Sequence, residues 1–479
     1  MAQEFKFPSP EELAAQYRAG VEAQLAAGRR EVLRIDVTLT DHIKEEPEPG
    51  YMILTLPFTG FADGLWFRGA VQPGAADVQR WRDGKIERLC ADYWLEGRDF
   101  TGNKCRVHVV NVDEGSGWKP TVTADSAALS FLNGADCFTV MEMRRVGPIV
   151  HIFTDLAPMH AHNAAALDAV CAEDAVVRNV SKHRLPDGSI DIAGNLKIWN
   201  DALGRFTPIV LWPDGAPGFK SELADVHPQP SIVFVPAKGA DTPRGTVVVA
   251  HGGGFETRTG CEGMNVAKYF VDAGFNAAIL TYRIKPYGRF DAMYDMQRAI
   301  RLLRAYKDVL GVTDKVAVMG FSAGGMLGAN CATHFDAGDP DAADAVERES
   351  CRPDAAVLGY GAFAFAGLPG GFFADPFADF TRNPFVANKK ELIYFAPEVN
   401  ITPETPPFFI WQTNSDDPRH SFTLGQALTA VGIPFEMHLF PEGVHGLAPA
   451  DGHNDLAMNL PHVARWASLC AEWLSEQGL

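Results

Sequence analysis

The stretch Lys315-Val316-Ala317-Val318-Met319-Gly320-Phe321-Ser322-Ala323-Gly324-Gly325, followed by Met326-Leu327-Gly328-Ala329, decides the fold of this 479-residue chain. A Val-rich apolar run ends at Gly320, and a small-residue run follows the glycine pair. That pattern predicts a strand, a tight turn centred on Ser322, and a helix. The turn has the form G-x-S-x-G. Glycines flank the serine because a Cβ at those positions would collide with the neighbouring strand or helix, and a hydroxyl on so sharp an elbow stands clear of the sheet edge. The short pattern also describes a glycine-rich turn with a helix-capping serine, so its surroundings carry the weight.

Working outward, strands alternate with helices. Ile209–Trp212, Ser231–Val235, Thr246–Ala250, Ala277–Tyr282, Ala355–Leu358, Phe408–Trp411 and Phe435–Phe440 read as strands. Val266–Asp272, Asp291–Tyr306 (capped by Asp291), Leu424–Val431 and Val463–Leu474 read as helices. Alternation of this kind predicts a mostly parallel sheet covered on both faces. His251-Gly252-Gly253-Gly254-Phe255 directly follows the strand Thr246–Ala250. Three glycines there let backbone N–H groups turn inward toward a developing negative oxygen. A phosphate cradle is disfavoured because no Gly-Lys-Ser/Thr follows. His251 is expected to order this loop and not to move protons.

Two further pieces follow in chain order. Strand Phe408–Trp411 leads into Gln412-Thr413-Asn414-Ser415-Asp416-Asp417-Pro418, and strand Phe435–Phe440 leads into Pro441-Glu442-Gly443-Val444-His445-Gly446. A carboxylate just past one strand and a histidine between the last strand and the last helix stand where an acid and a base would serve Ser322. His420 comes too early, His438 lies inside a strand, and His453 and His462 come after the expected loop. Residues 361–405 interrupt the rhythm with Phe363, Phe365, Phe372, Phe373, Phe377, Phe380, Phe385 and Phe395. This Phe-rich insertion is either a cap over Ser322 or satellite core.

The N-terminal half has a different grammar. Ser9-Pro10-Glu11-Glu12 opens a helix with a capping box and a proline at the first helical position. Leu13, Tyr17, Val21 and Leu25 give it one apolar stripe, and it should stop near Gly28. Short apolar or alternating runs then follow at Met52–Phe58, Leu65–Val71, Ile86–Trp94, Cys105–Val112, Cys137–Met143 and Ile149–Phe153. Turn signals such as Pro73-Gly74, Asp83-Gly84 and Asn133-Gly134 separate them, which predicts an antiparallel barrel-like domain over 1–155. Asp77 and Asp92 are expected on turns or at the surface. Residues 156–205 read as a connector, with an Ala-rich helix at Asn163–Cys171. His160 and His162 have no evident third ligand there, and no metal site is expected.

Composition narrows the class. The chain is 47% hydrophobic and 21% charged, as a globular protein should be, and 60 acidic against 42 basic residues give a net charge of −18. That balance argues against a nucleic-acid partner. The eight cysteines form no CxxC pair and read as free thiols of a reducing compartment. No run is long and apolar enough to predict a membrane span, and the first residues show no secretory pattern, so a cytoplasmic location is expected. Self-association into a homo-oligomer stays open.

The pieces together carry a resemblance. Leu211-Trp212-Pro213 with Ala216-Pro217-Gly218, the Gly252-Gly253-Gly254-Phe255 loop, Thr281-Tyr282-Arg283, the elbow at Ser322, the Asp416-Asp417-Pro418 turn and Gly443-Val444-His445-Gly446 resemble α/β-hydrolase-fold serine esterases. The likeness is to the acetyl-xylan-esterase and feruloyl-esterase-like kind, over about residues 208–479. It implies an α/β-hydrolase catalytic domain over 206–479, with Ser322 as nucleophile, His445 as base and Asp416 as acid. Oxyanion donors would come from Gly253, Gly254 and Ala323. The implied substrate is a small acyl ester, such as an acetylated or feruloylated sugar, and no cofactor or metal is implied. The chain departs from the pattern at Val444, where a second glycine is usual, and in a shortened loop after the acid, which leaves Asp417 as a rival to Asp416. A peptidase of the prolyl-oligopeptidase type would share fold and triad but usually carries a propeller, and no blade period is visible here. A hydrolase fold kept only for binding would normally have lost a triad member. In the N-terminal half, Gly69-Ala70-Val71, Pro73-Gly74, Asp77 and Asp83-Gly84 resemble a family of small barrel domains of unknown function, which implies a fold and no activity.

Overall fold

The computed structural model describes residues 9–115, 117–239, 242–365 and 388–479. Contacts divide the chain into two compact units, Met1–Met159 with Asp308–Leu310, and His160–Lys307 with Gly311–Leu479.

The first unit opens with helix α1 (Pro10–Ala26). Its capping box is formed as the sequence predicts: the Ser9 hydroxyl accepts the Glu12 N–H at 3.2 Å, and Glu12 accepts the Ser9 N–H at 2.6 Å. Strands β1 (Arg30–Leu39), β2 (Ile43–Glu48), β3 (Tyr51–Asp63), β4 (Phe67–Val71), β5 (Ala76–Arg82), β6 (Lys85–Asp99), β7 (Lys104–Asp113), β8 (Lys119–Ala124), β9 (Phe138–Glu142) and β10 (Ile149–Thr154) follow. They form one antiparallel sheet along the path β8-β7-β6-β4-β3-β1-β10-β9, with β5 continuing the lane of β4 between β3 and β6, and β2 beside β3. The antiparallel expectation holds. The sheet curls, since residues of β1, β3, β5, β6, β7, β9 and β10 all line one interior cavity. Among the described residues no ladder joins β8 to β9, the two ends of the path. Asp77 departs from its expectation of a turn or surface position: it lies inside β5 and lines that cavity. Asp92 is exposed and pairs with His108 Nε2 at 2.7 Å.

The second unit holds α2 (Ala157–Ala172), α3 (Asp174–Val177), α4 (Asn179–Lys182), α5 (Ile192–Leu203), β11 (Ile209–Val210), β12 (Ser231–Val235), β13 (Thr246–Ala250), α6 (Val266–Asp272), β14 (Asn276–Thr281) and α7 (Arg289–Ala305). After α8 (Lys307–Leu310) it continues with β15 (Val316–Phe321), α9 (Ala323–Thr333), β16 (Ala355–Gly359), α10 (Lys389–Tyr394), β17 (Phe408–Thr413), α11 (Arg419–Val431), β18 (Phe435–Phe440) and α12 (Pro461–Glu476). Asp291 sits in the first turn of α7, accepting the Gly288 N–H at 2.9 Å, and is not itself the cap residue.

Eight strands form a sheet in the order β11-β12-β14-β13-β15-β16-β17-β18, parallel from β14 through β18 and antiparallel at β12 and β11. This is the α/β-hydrolase arrangement that the elbow predicts. The central strands are buried on both faces, which is why their sequences are near-continuous Val, Ala and Ile. Period-two alternation splits them between two cores. Val247, Val249, Ala317, Met319 and Phe321 pack with α6 and α12, while α9 lies over Val318 and Leu358. On the first face Trp411 stacks on Trp466 at 4.9 Å and 12°, and each fully buried side chain of this size stabilises by about 2–3 kcal/mol.

Candidate active site

Parallel pairing brings several loops to one edge of the sheet, because every parallel strand ends there. Ala250, the last residue of β13, is in register with Gly320 of β15. The triple-glycine loop and the Ser322 elbow therefore leave the sheet side by side. Thr413 of β17 is likewise in register with Phe440 of β18, so the Asp416 and His445 loops emerge as neighbours. The Ser415 hydroxyl donates to the Gly443 carbonyl and ties those two loops together.

Ser322 takes φ +53° and ψ −120°, a conformation that non-glycine residues avoid and that persists only when the surroundings impose it. They do so by close packing. A Cβ at Gly320 would lie 2.0 Å from the Gly324 carbonyl oxygen, and one at Gly324 would lie 2.3 Å from that of Ala250. Helix α9 thus starts against the backbone of β13, with no room for a side chain at either flank.

The three residues named by the sequence meet. Ser322 Oγ is 2.8 Å from His445 Nε2, and His445 Nδ1 is 2.7 Å from Asp416 Oδ2. Asp417 turns away, and its carboxylate takes Arg419 Nε at 2.7 Å and Nη2 at 2.6 Å. That guanidinium holds the Asp417 carboxyl below its usual range. Gln412 Nε2 donates to the carbonyls of both Asp416 and Asp417, fixing the turn that separates the two side chains. Burial pushes the His445 imidazole toward the neutral form. The hydrogen bond and charge of Asp416, with the charge of Glu262, outweigh it, and the pKa ends above the ordinary histidine value of 6.5.

Gly253 (φ +110°) and Gly254 (φ +63°) adopt left-handed conformations, and neither N–H is bonded to another described residue. The Ala323 N–H opens α9, where the first amides lack intrahelical partners. Ser322, His445, Gly253 and Gly254 line a cavity of about 350 Å³, within the usual size of small-molecule sites. Its walls include Val180, Ile190, Ile192 and Leu456. His251 is fully buried, stacked on Tyr282 at 4.3 Å, with Nδ1 2.7 Å from the Gly252 carbonyl oxygen. Burial, reinforced by Arg258, lowers its pKa to about 3, so it stays neutral and acts as loop support, as expected.

Sequence reasoning did not pick out Glu262. It lies 2% exposed in a π-helical turn, Cys261–Asn265, a local geometry that recurs at functional sites. Its Oε2 accepts the Gly252 N–H at 2.8 Å and its Oε1 accepts the Tyr360 hydroxyl at 2.9 Å, while Tyr360 Oη accepts the Ala448 N–H at 2.9 Å. One carboxyl group thereby links the glycine loop to the chain just past His445. The available signal was a lone carboxylate in an otherwise uncharged run, Thr259-Gly260-Cys261-Glu262-Gly263-Met264. Asp455 likewise escaped notice; its Oδ1 accepts the N–H groups of Val180 and Ser181 at 3.1 and 2.9 Å, holding α4 at the cavity wall.

The other candidates fall outside the site. His438 pairs with Glu436 at 2.6 Å, His453 lies 3.6 Å from Asp451, and His462 packs edge-on to Phe440. His420 Nδ1 accepts the Ala364 N–H at 3.2 Å. Among the described residues no three His, Cys, Asp or Glu side chains are grouped to hold a metal, and no helix is long and apolar enough to cross a membrane. Phe363, Phe365 and Phe395 are buried. Residues 366–387 of the Phe-rich insertion, with Phe372, Phe373, Phe377, Phe380 and Phe385, lie outside the described residues, and the choice between a cap and satellite core falls on them.

Residues 233–427 match the model of the BD-FAE family. The chain is 33% identical over 225 residues to endo-1,4-beta-xylanase B of Butyrivibrio fibrisolvens, covering 44% of this chain and about a third (34%) of that protein's length. Among solved structures, an acetyl ester-xyloside bifunctional hydrolase from Caldicellulosiruptor lactoaceticus is 30% identical, over 57% of this chain and 96% of its own, with a TM-score of 0.49. A carboxylesterase from Lactobacillus plantarum is 23% identical, over 52% of this chain and 92% of its own, with a TM-score of 0.43.

Proposed function

We propose that this chain is a serine carboxylic-ester hydrolase that works through an acyl-enzyme on a small acyl ester. The observation that carries the reading is the unbroken relay from Ser322 Oγ through His445 to Asp416, at a strained elbow lining a cavity. The BD-FAE match over 233–427 supports it as well.

In the proposed reaction His445 Nε2 takes the Ser322 proton as Oγ attacks the ester carbonyl carbon. The carbonyl π pair moves to oxygen, and the N–H groups of Gly253, Gly254 and Ala323 stabilise the resulting oxyanion. Asp416 keeps the His445 proton on Nδ1 and stabilises the imidazolium. When the intermediate collapses, the C–O bond to the alcohol breaks and the alcohol leaves with the proton from His445. Water, deprotonated by the same nitrogen, then attacks the acyl-enzyme, and Ser322 leaves as the acid is released. The mostly apolar cavity favours a compact acyl group, and acetyl and feruloyl esters of sugars are the substrates to try first.

The test uses purified Ser322→Ala on a short-chain aryl ester. Turnover should fall more than about a thousandfold, since loss of a nucleophile costs at least that much in such relays, with the melting temperature close to wild type. An aminoacyl anilide should not be turned over; faster cleavage of the anilide than of the ester would favour a peptidase.

A further inference from the structure

The concave face of the N-terminal sheet holds a partly open cavity of about 280 Å³ that plays no part in the proposed reaction. Its lining follows the pleat: Val37 and Leu39, Leu56 and Phe58, Asp77 and Gln79, and Ala91 and Tyr93, each pair two residues apart and so on one face of its strand, with Met141 of β9 and Met143 just past it. An interior of this kind is normally filled by its own apolar side chains. Here Asp77, Gln79, Asn111 and the Tyr93 hydroxyl stand in it. Asp77 pairs with Ala91 across β5 and β6, and Ala91 pairs with Asn111 across β6 and β7. Directly paired residues share a face. Asp77 and Asn111 therefore flank the one small side chain between them, with Tyr93 two residues along.

These groups keep unused hydrogen-bonding capacity. Asp77 Oδ2 accepts Gln79 Nε2 at 2.7 Å; Asp77 Oδ1 is buried and makes no close hydrogen bond among the described residues, although the Cys90 N–H helps steady the carboxylate. Asn111 is 2% exposed; its Oδ1 accepts the Thr139 hydroxyl at 3.2 Å, and its amide NH₂ has no partner among the described residues. Tyr93 is 4% exposed and its hydroxyl has none either. Unpaired buried polar groups cost about 1–3 kcal/mol each, and such groups are ordinarily satisfied. The lining residues include no Lys, Arg or His.

We propose that this cavity binds a small, uncharged, single-ring organic molecule, which presents a hydroxyl donor to Asp77 and an acceptor to the Asn111 amide and the Tyr93 hydroxyl. The volume lies at the lower end of small-molecule sites, which suits one ring and excludes a polymer. Phe58, Trp118, Met141 and Val150 supply apolar walls. An anionic ligand would find no counter-charge. An ammonium is best held by several free acceptors, and Gln79 Oε1 and Asn111 Oδ1 each already accept one bond, from Trp81 Nε1 at 3.3 Å and from the Thr139 hydroxyl at 3.2 Å. Burial also raises the Asp77 pKa, so the site disfavours charge on Asp77 itself.

The test is NMR on the full chain labelled with [methyl-¹³C]methionine, in which Met141 reports locally and the Ser322 cavity does not interfere. The probe is 4-hydroxybenzyl alcohol, compared with 4-hydroxybenzoate, tyramine and p-xylene. The probe should shift the Met141 methyl signal saturably and bind at least about tenfold more tightly than any comparator, the effect of one buried hydrogen bond. Asp77→Ala should weaken it about tenfold, and Ala91→Leu, which fills the space between Asp77 and Asn111, should abolish it. If Asp77→Ala fails to fold, Asp77→Asn and Ala91→Leu carry the test. No saturable shift from 4-hydroxybenzyl alcohol, equal binding of p-xylene or of a charged comparator, or indifference to the variants that fold would overturn the proposal.

Discussion

In the C-terminal sheet the reactive side chains stand on loops that follow parallel strands, whereas in the N-terminal sheet the unpaired polar side chains stand inside strands, on the concave face. The difference follows from strand direction. Parallel strands deliver all their ends to one edge, so Ser322, Asp416 and His445 converge there although 123 residues separate the serine from the histidine. Antiparallel strands alternate their ends, and what they concentrate is the inner face, where Asp77, Ala91 and Asn111 line up by register. The first arrangement leaves exposed, strained loops suited to covalent chemistry. The second leaves a concave pocket walled by side chains of several strands.

The comparison can be broken first at the acid. Asp416→Asn should lower kcat by about 10⁴-fold, because an amide no longer holds the imidazole in the working tautomer. Asp417→Asn should leave kcat unchanged and lower the melting temperature slightly, since its exposed pair with Arg419 contributes little. Steady-state kinetics on both folded variants decides it. A crippled Asp417→Asn beside a near-normal Asp416→Asn would reverse the assignment while leaving Ser322 and His445 in place.

A smaller effect is expected from Glu262, the buried strand-to-loop tie of the C-terminal unit. Glu262→Gln keeps the shape but offers only one acceptor oxygen to two donors, Gly252 N–H and Tyr360 Oη. We expect kcat to fall about 10- to 100-fold with KM little changed, as when one oxyanion donor is displaced. A purely structural role would instead lower the melting temperature and leave the kcat of the folded fraction intact.

The mildest expected effect concerns pH. His445 must be neutral to take the serine proton, so activity is present above its pKa and lost as pH falls through it. Asp416 and Glu262 push that pKa above 6.5, so the acid limb of the kcat/KM profile should have its midpoint above that value. Glu262→Gln should move the limb to lower pH. A limb centred well below 6.5 in the wild type would contradict the electrostatics of the site.

Legibility in the sequence divides along the same line. The elbow, the glycine loop and the acid and histidine turns are each contiguous, and their chain order is fixed by the fold, so the residues could be named in advance and the structure brings them together. Strands Ser231–Val235 and Thr246–Ala250 were readable to the residue because they are nearly continuous apolar runs bounded by turn signals, and Phe435–Phe440 because apolar residues recur at its ends and middle between Pro434 and Pro441. Glu262, Asp455 and the cavity walls Val180, Ile190 and Ile192 were not, because they are joined to the site only by tertiary packing. The Asp77–Ala91–Asn111 row was illegible for a related reason. Register across three strands is invisible in a linear chain, and the strands Arg30–Leu39, Ile43–Glu48, Ala76–Arg82 and Lys119–Ala124 carried too much charge or too little length to stand out.

The central claim, that Ser322 is acylated by the ester, is tested most directly by trapping the intermediate. The full chain is mixed with excess 4-nitrophenyl acetate, quenched in acid during the burst, digested and analysed by mass spectrometry. A single acetylated peptide containing Ser322 is expected, with a burst of 4-nitrophenol close to one equivalent per chain, both absent in Ser322→Ala. Acetyl on a different residue that turns over at the steady-state rate, or undiminished hydrolysis by folded Ser322→Ala, would contradict it.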